Sequence, residues 1–578
     1  MWDFNHWAPV NDPSFFGRTQ QRQALPTEAN GVMLLKLDTY NPTNQPGYPP
    51  AFYGSEAISR QLFTASIAAG GIVFEARVRL VNPVGGIVGG IFSYNFSTIT
   101  HLHDEIDFES LTNDAVNGRN REQTNIYGNE PLGSGHTQFV PVVGSLTSFH
   151  TYRMEWLPDR VRWFIDGQLV RESKDHVPQN PMALSFDIWA PASDWAEAYS
   201  SSLQPVLSPG SNTSYVFEID YAHVARLSTI YGNGTNNNLT GTAINDWIDG
   251  HGGNDILTGG AGDDMLIGGS GSDTASYAHA TGGVTVNLNK TTAQAVGGGQ
   301  GSDTLTSIEN LTGSSYADTL TGDSGDNILT AGTGNDTLNG GAGNDTFNLG
   351  AFLTAADKID GEAGTDRLNL SGNYSAGVTF NSSTVKNVEK IVLAAGYSYK
   401  LTTNDATVAS GQTLTIDGSA LGAGNVLTFN GAAETNGHFI IISGKGADKL
   451  TGGSLSDTFT YTSAAQSTST HYDTITGFKF GVDNFDIPGG AGVITGINTK
   501  LTSGSLSTAT FDANLASAIS SSHLGAHHAV LFTPNSGTLS GATFLIVDLN
   551  GVAGYQTGSD LVIRMNGSSG TLAAGGFH

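Results

Sequence analysis

Four consecutive nine-residue segments read GTAINDWID (241–249), GHGGNDILT (250–258), GGAGDDMLI (259–267) and GGSGSDTAS (268–276). Each begins with Gly, has Asp at its sixth position and has an apolar residue at its eighth. Such a period is typical of stacked repeats, because Gly allows a tight turn and the apolar residue fills a thin core. The pattern therefore predicts a parallel β-roll.

The same pattern returns at residues 313–348 and, in a shorter form, at 444–460. Carboxylate and carbonyl oxygens are the ligands that Ca²⁺ prefers, so we expect several structural Ca²⁺ ions. The predicted carboxylate ligands are Asp246, Asp255, Asp264, Asp273, Asp318, Asp336 and Asp345. Asn327 takes the Asp place in one unit, and Asp366 and Asp448 are isolated matches. The apolar residues recur with the same nine-residue period as the glycines, which argues against a flexible Gly/Asp linker.

Composition separates the chain into two parts. The 578 residues include 76 Gly and no Cys, and the part behind residue 228 has 29 of the 52 acidic and 11 of the 25 basic side chains, or −18 of the net −27. The acidity argues against nucleic acid and anionic membranes as partners. The chain contains no run of about 18 apolar residues, so we expect no membrane anchor. Its start lacks the pattern of a secretory signal peptide.

The front part reads as short alternating strands, such as 71–80 (GIVFEARVRL), 160–170 (RVRWFIDGQLV) and 214–227 (SYVFEIDYAHVARL). This alternation predicts an antiparallel sandwich with one concave face. We therefore predict an all-β chain, with an N-terminal β-sandwich followed by parallel β-roll modules. The predicted domains are 1–228 (sandwich), 229–350 (β-roll), 351–440 (β-rich connection) and 441–578 (second repeat patch and C-terminal region).

The sequence HDEIDFESL (103–111) has acids at Glu105, Asp107 and Glu109, with apolar residues between them. In a strand all three acids share one face. The outer Cα atoms are then about 13 Å apart, and inward-leaning Glu side chains bring the carboxyls near the roughly 5–5.5 Å of a retaining glycosidase. A solvated acidic edge or a calcium site explains the spacing equally well. His103 could tune the acids, but a surface position is the simpler expectation.

The stretch 86–111 resembles the catalytic strands of glycoside hydrolase family 16, the β-jelly-roll endoglycanases, in its lichenase-like branch. The resemblance implies that the sandwich of residues 1–228 is a β-jelly-roll catalytic domain. The motifs TNIY (124–127), DIWAP (187–191) and SDWAE (193–197) follow in the family's order. The uninterrupted E-I-D-F-E core leans away from the laminarinase- and agarase-like branches. FESLTND departs from the family's usual Gly after the core, which leaves the cleft shape, and so the substrate, open.

The resemblance implies that Glu105 is the nucleophile, Asp107 the assisting acid and Glu109 the acid/base of a retaining endo-β-glycanase. Trp156 and Trp163 are expected in the core. Asp220 matches an Asp that binds structural calcium in some relatives. The positions that match the family's substrate cleft are Phe92, Tyr94, Asn125, Tyr127, Trp189 and Trp195.

The repeats resemble the β-roll of RTX proteins, and residues 446–489 resemble the C-terminal region of serralysin-type proteases. No H-E-x-x-H motif occurs, so the protease itself is not expected. The resemblance implies an extracellular bacterial protein, exported through type I secretion machinery by a C-terminal signal. We expect a monomer.

Together these features predict an enzyme that cuts β-1,3-1,4-glucan or a succinoglycan-like exopolysaccharide. Two alternatives stay open at this stage. A transglycosylase would use the same covalent intermediate, and a matrix or adhesin protein would bind polysaccharide without cutting it.

Overall fold

The computed structural model describes residues 7–8, 15–16, 18–44, 50–66, 70–490 and 492–578. The chain divides into two compact units, Met1–Ile230 and Tyr231–His578. Both units are built almost entirely from strands, as the alternating and nine-residue patterns predict.

Within its described residues, the first unit contains mostly antiparallel strands, one short helix and one 3-10 turn. These are β1 (Trp7–Ala8), β2 (Phe15–Phe16), β3 (Thr19–Gln21), β4 (Thr27–Ala29), β5 (Val32–Asp38), β6 (Phe52–Ser59), β7 (Gly71–Val81), β8 (Val88–Phe96), β9 (Leu102–Leu111), α1 (Thr112–Val116), β10 (Arg121–Pro131), β11 (Gln138–Pro141), β12 (His150–Trp156), β13 (Val161–Ile165), β14 (Gln168–Ser173), β15 (Ala183–Trp189), the turn Pro209–Ser211 and β16 (Ser214–Asn233).

Two sheets form the sandwich. The first has the order β6-β15-β8-β9-β10-β11. The second has the order β4-β5-β16-β7-β12-β13-β14. The jelly-roll sandwich predicted from the sequence is thus the observed fold, and β9, with its three acids, lies in the middle of the first sheet.

The core between the sheets explains why β9 presents its acids on the outer face. Ile106 and Phe108 alternate with the acids and are 0% and 1% exposed. They pack in one cluster with Trp156 and Trp163, which are fully buried as predicted. Burial of side chains of this size contributes about 1.5–3 kcal/mol each. The core therefore determines which face of β9 its three acids occupy.

The second unit consists of short strands, one helix and several 3-10 turns. They are β17 (Asn238–Thr240), β18 (Asp246–His251), β19 (Ile256–Thr258), β20 (Met265–Ile267), β21 (Thr274–Ser276), β22 (Thr285–Asn287), β23 (Gln294–Ala295), β24 (Ser302–Thr306), β25 (Asn310–Thr312), β26 (Thr319–Thr321), β27 (Ile328–Thr330), β28 (Thr337–Ala342), β29 (Thr346–Gly350), β30 (Lys358–Ala363), β31 (Arg367–Leu370), β32 (Tyr374–Thr379), β33 (Val385–Lys386), β34 (Lys390–Leu393), β35 (Tyr399–Thr402), β36 (Thr413–Asp417), β37 (Leu427–Asn430), β38 (His438–Ile442), β39 (Lys449–Thr451), β40 (Thr458–Thr460), turns Ala464–Gln466 and Ser469–His471, β41 (Asp473–Thr476), β42 (Asn484–Asp486), β43 (Gly496–Ile497), turn Thr508–Thr510, α2 (Phe511–Ala518), β44 (His528–Phe532), β45 (Thr543–Val547), β46 (Leu561–Asn566) and turn Ala574–Gly576.

Most of the strands in this unit pair in parallel and form a β-roll. One sheet runs through twelve strands from β17 to β42. In the first coils its partners are 18 residues apart, as in Leu239 beside Leu257, which corresponds to two nonapeptides per coil. The paired apolar residues stack into a thin core, as the repeat pattern predicts.

The same sheet continues through residues 351–440. Ile391 in β34 pairs with Leu368 before it and with Ile416 after it, and Ile416 pairs with Ile441. All four side chains are buried. These coils therefore keep the apolar column although the glycine pattern has lapsed. The unit ends in antiparallel strands β44, β45 and β46, where Phe532 and Phe544 pack in a cluster with residues of α2.

Candidate active site and calcium sites

Strand register brings the predicted catalytic and substrate residues onto one face. Glu105 lies between Tyr94 of β8 and Tyr127 of β10. One step along β9, Asp107 lies between Phe92 and Asn125, and Glu109 lies between Gly90 and Gln123. Because side chains alternate along a strand, these three rows share the outer face of the first sheet.

A cleft of about 530 Å³ opens over these rows. The Trp189 and Trp195 rings lie 5.5 Å apart at one side of it. Phe92 and Tyr94 occupy the neighbouring register positions and do not belong to the lining set. The residues that line the cleft are Glu105, Asp107, Glu109, Gln123, Asn125, Tyr127, Thr137, Phe139, Trp189, Trp195 and Glu197. The structure thus brings together the three acids and four of the six predicted substrate residues in one cleft.

Burial raises the pKa values of Asp107 and Glu109. It raises the pKa of Asp107 well above its usual range, and the charges of Glu109 and Glu105 raise this pKa further. Burial also raises the pKa of Glu109 to about 8, assisted by the charge of Glu105 and opposed by a hydrogen bond from Gln123. Glu109 is therefore suited to carry a proton at neutral pH.

His103 is buried, so our expectation of a surface histidine is wrong. It is 1% exposed, because it lies two residues before Glu105 on the same face and its ring packs 3.9 Å from that of Tyr127. Its Nδ1 atom lies 3.0 Å from the carbonyl oxygen of Glu130, and its Nε2 atom lies 3.5 Å from Glu105 Oε2. His103 can therefore influence the orientation of Glu105.

Two further acids on this face were missed in the sequence. Glu56 on β6 and Asp187 on β15 are register partners, and Asp187 also pairs with Gly90, which pairs with Glu109. Burial raises the pKa of Glu56 to about 7, and burial followed by the charge of Glu56 raises the pKa of Asp187 well above its usual range. The one indication in the sequence that either acid lies at the cleft was the position of Asp187, two residues before Trp189, a predicted cleft residue.

The repeat aspartates form a regular arrangement in the β-roll. In most of them one oxygen accepts a hydrogen bond from an amide one coil earlier; Asp264 Oδ1 accepts from Asp246 N at 2.9 Å, and Asp273 Oδ1 accepts from Asp255 N at 2.7 Å. Several second oxygens are buried and have no hydrogen-bond partner among the described residues. These are Oδ2 of Asp255, Asp264, Asp273, Asp345 and Asp366. A buried carboxylate oxygen without a partner is costly, and a cation would satisfy it.

The glycines of the repeats leave room beside these oxygens. A Cβ atom placed at Gly259 would lie 2.2 Å from Asp264 Oδ2, and one at Gly340 would lie 2.2 Å from Asp345 Oδ2. Burial and nearby aspartates also raise the pKa of Asp264 to about 7. Oxygen donors, buried negative charge and space in the turn fit Ca²⁺.

The predicted ligands do not all share this arrangement. Asp246 instead has Oδ1 without a partner, while both oxygens of Asp318 accept hydrogen bonds from Ser314 and Oδ1 also accepts one from Val284. Asp336 accepts from Asp318 N, and burial raises its pKa to about 6. Asn327 uses its side-chain oxygen to accept from Asp323 N. The turn around Asp318 therefore fits a cation less well than the turns around Asp264 and Asp345.

Other aspartates belong to the same arrangement, but insertions between the coils displace them from the nine-residue period. Asp303 and Asp357 accept hydrogen bonds from the amides of Asp264 and Asp336, and Asp473 accepts one from the amide of Asp448 in a later coil. The sequence separation grows from 18 to 39 residues between Asp264 and Asp303. A search at a fixed nine-residue period therefore misses them.

Asp220, a predicted calcium ligand, forms an ion pair with Arg77. In the part of the chain that the structure describes, it belongs to no group of three or more acidic or histidine side chains close enough to share an ion. Its role as a ligand stays a prediction.

Comparison with known proteins assigns three segments. Residues 20–205 match the model of glycosyl hydrolases family 16, and residues 231–266, 240–275 and 310–351 match the RTX calcium-binding nonapeptide repeat. Residues 424–498 match the C-terminal region of M10 serralysin peptidases.

Similar proteins include a β-glucanase of Bacillus licheniformis, 32% identical over 131 residues, which are 22% of this chain and 51% of that protein. A β-glucanase of Acetivibrio thermocellus is 29% identical over 163 residues, 28% of this chain and 44% of that protein. A probable xyloglucan endotransglucosylase/hydrolase of Arabidopsis thaliana is 34% identical over 132 residues, which are 21% of this chain and 39% of that protein. The chain thus spans about half the length, or less, of these relatives.

Among solved structures, a Bacillus licheniformis β-glucanase matches with 24% identity and a TM-score of 0.30, covering 38% of this chain and 92% of that one. The match to the family model, independently of this structural similarity, assigns residues 20–205 of the front unit (Met1–Ile230) to a family 16 glycosyl hydrolase domain. Behind it the chain has RTX calcium-binding repeats, in which Ca²⁺ is a structural ion, and a serralysin-type C-terminal region. No helix within the described residues combines the length and apolar character that crossing a bilayer requires.

Proposed function

We propose that the protein is an extracellular endo-β-glycanase that cleaves a β-linked glucan or glucose-rich exopolysaccharide with retention of anomeric configuration. The observation that supports this best is the pair Glu105 and Glu109, on one strand face in an open cleft, with the pKa of Glu109 raised to about 8. A two-step displacement needs one ionised nucleophile and one protonated acid.

In the proposed reaction, a Glu105 oxygen attacks the anomeric carbon while Glu109 donates its proton to the departing oxygen. This step breaks the glycosidic bond and forms a glycosyl ester on Glu105. Glu109, now a carboxylate, then takes a proton from water, whose oxygen attacks the same carbon and releases Glu105. Burial raises the pKa of Asp107 well above its usual range and so favours its protonated form, which would donate a hydrogen bond to a neighbouring carboxylate.

Several groups are available to bind the sugar chain. The Trp189 and Trp195 rings offer apolar faces for sugar C–H groups, and Asn125 and Tyr127 offer polar groups for hydroxyls. The β-glucanase names of the relatives favour a β-linked glucan. The uninterrupted E-I-D-F-E core, which resembles the lichenase-like branch, favours β-1,3-1,4-glucan. A succinoglycan-like polymer is the competing substrate.

The substrate proposal is tested on a panel of mixed-linkage β-glucan, β-1,3-glucan and succinoglycan. We expect viscosity to fall before many reducing ends appear, on mixed-linkage glucan or on succinoglycan, because an endo-acting open cleft cuts within the chain. Viscometry and a reducing-end assay measure the two quantities. Retention of polymer without new ends would instead support a matrix or adhesin protein.

The acid/base assignment predicts a pH limit. Glu109 acts as an acid only while protonated, so kcat/KM should fall as pH rises through about 8. The hydrogen bond from Gln123 stabilises the charged form and lowers this pKa. Gln123→Leu should therefore move the alkaline limb to higher pH.

The pH profile of kcat/KM measures this shift, and Gln168→Leu, at an exposed position on β14, is the matched control. A limb that stays in place or moves to lower pH in Gln123→Leu would contradict the assignment.

Transglycosylation is a second candidate, because a sugar hydroxyl can replace water in the second step. The similarity to a probable endotransglucosylase/hydrolase supports it. Products longer than the substrate, formed when labelled oligosaccharide is added as acceptor, would identify this activity.

We further propose that type I secretion machinery exports the chain through its C-terminal region and that it acts as a monomer, without nucleic-acid partners or a membrane anchor. The match to the serralysin C-terminal region supports the export route.

A further inference from the structure

A cluster of metal-binding side chains lies beside the cleft and has no part in the proposed reaction. It consists of Glu130 at the end of β10, His136 just before β11, and His176 after β14. His176 Nδ1 lies 2.6 Å from Glu130 Oε1, and His136 Nε2 lies 3.2 Å from Glu130 Oε2. One potential ligand atom from each residue lies within 4.8 Å of the other two.

The backbone holds all three residues in place. The His136 amide donates to the Ile126 carbonyl at 3.4 Å, and the His136 carbonyl accepts from Arg171 Nη2 at 2.5 Å. His176 has φ 61°, a left-handed conformation that is uncommon outside glycine. Its backbone packs on Gly128, where an added Cβ atom would lie 2.5 Å from the His176 carbonyl oxygen. The cluster is therefore arranged by its surroundings rather than by chance surface contacts.

The donor set indicates the class of metal. Two imidazole nitrogens and one carboxylate suit Zn²⁺ and similar transition-metal ions, whereas Ca²⁺ prefers oxygen alone. Two ligands of a tetrahedral zinc ion, each at about 2.1 Å, are about 3.4 Å apart. The separation of 3.2 Å is close to that value, and the separation of 2.6 Å is shorter, so the His176 and Glu130 side chains would move apart by about 0.8 Å around an ion. The side chains of Glu130, His136 and His176 are 21%, 38% and 35% exposed, so an ion and a water ligand can reach them.

We propose that Glu130, His136 and His176 bind a divalent transition-metal ion of the Zn²⁺ class, and that the bound ion holds residues 132–137 against the cleft. This segment joins two of the ligands, because Glu130 precedes it and His136 lies within it. A bound ion would link Glu130 to His136 and so close the segment into a short loop. His176, as the third ligand, would hold this loop in place.

The loop contacts residues that we assign to sugar binding, and this consequence rests on the proposed function. A Cβ atom at Gly135 would lie 2.2 Å from the Tyr127 hydroxyl and 2.7 Å from Asn125 Nδ2, so the loop backbone packs directly on both. Thr137 lines the cleft. The metal would thus fix one wall of the cleft.

Zinc binding is measured on the full chain, folded in millimolar Ca²⁺, by competition with a chromophoric chelator. We expect one Zn²⁺ per chain at micromolar or lower Kd for the wild type. We expect at least about 100-fold weaker binding for the double variant His136→Ala/His176→Ala, because both nitrogen ligands are lost. His223→Ala, an exposed histidine on β16, is the matched control and should keep the site.

Hydrogen exchange of residues 132–137 measures the effect on the loop. Zn²⁺ should slow this exchange at least about tenfold in the wild type and not in the double variant. Glu130→Gln, which keeps the side-chain shape, is a second variant that should also weaken binding if the alanine variant fails to fold. Neither measurement depends on hydrolysis, so the metal site can fail or hold independently of the proposed activity.

Absence of zinc binding by the wild type, or equal binding by the double variant and the control, would overturn the site. Zinc binding without slower exchange of residues 132–137 would overturn the role of the metal in holding the loop.

Discussion

Glu105→Gln should lower kcat for polysaccharide hydrolysis by about 10³-fold or more, which corresponds to at least about 4 kcal/mol of transition-state stabilisation. The amide is nearly the same size as the carboxylate, but it is a poor nucleophile. Because the aromatic rings and Asn125 of the cleft are unchanged, polymer binding should stay within a few-fold of the wild type.

Reducing-end release on the substrate identified by the panel measures kcat, and affinity electrophoresis in the same polymer measures binding. Glu28→Gln is the matched control, because Glu28 is an exposed acid on β4 of the other sheet. Wild-type activity in Glu105→Gln would remove Glu105 from the reaction.

A rescue experiment separates the roles of the two Glu residues. In Glu105→Ala, azide can occupy the space of the missing carboxylate and attack the anomeric carbon of an activated β-glycoside once, giving an α-glycosyl azide. In Glu109→Ala, azide instead attacks the glycosyl ester on Glu105 and gives the β-azide. The reverse pattern would exchange the roles that we assign.

Removal of Ca²⁺ should abolish the β-structure of residues 241–350 while the front unit stays folded. Without the ion, the buried Asp oxygens in the roll have no partner and neighbouring aspartates repel one another. Each site occupied at a free Ca²⁺ concentration 100-fold above its Kd contributes about 2.7 kcal/mol to folding. Loss of several such sites exceeds the stability of a thin core.

Six of the seven Trp residues lie before residue 228, and Trp247 lies in the roll. Tryptophan fluorescence of a Trp247→Phe variant therefore reports on the front unit alone, while hydrogen exchange resolves residues 241–350. In EDTA we expect fast exchange in the roll and unchanged fluorescence, with recovery on addition of Ca²⁺ but not of Mg²⁺. Slow exchange of residues 241–350 in EDTA would contradict the dependence on calcium.

The sequence predicts the parts of this molecule that repeat or alternate over a short stretch. Glu105, Asp107 and Glu109 lie within five residues, so strand alternation alone puts them on one face. Asp264 and its relatives lie at a constant period. In both cases a fixed spacing along the chain corresponds to a fixed position in the structure, so the sequence pattern alone predicts the arrangement.

Other features depend on which strands become neighbours. Glu56 and Asp187 are register partners on neighbouring strands but are 131 residues apart in the chain. No local sequence pattern predicts this pairing. His103 is buried because Tyr127, on another strand, covers it. The Glu130, His136 and His176 cluster combines three segments in the same way.

The coils in residues 351–440 were hard to predict for a different reason. The apolar column through Ile391 and Ile416 persists there, but the glycines and the nine-residue spacing do not. A short apolar run in a Thr- and Ser-rich stretch is compatible with many kinds of strand. Only the parallel pairing of β34 and β36 identifies these residues as further coils.

The double-displacement mechanism is tested most directly by identifying the residue to which a glycosyl group becomes covalently attached. A 2-deoxy-2-fluoro oligosaccharide with a good leaving group slows the second step and traps the intermediate, and peptide mass spectrometry locates it. We predict one glycosyl group per chain, on the Glu105 carboxylate. A glycosyl group on Glu109, or none while hydrolysis proceeds with inversion, would contradict the double-displacement mechanism.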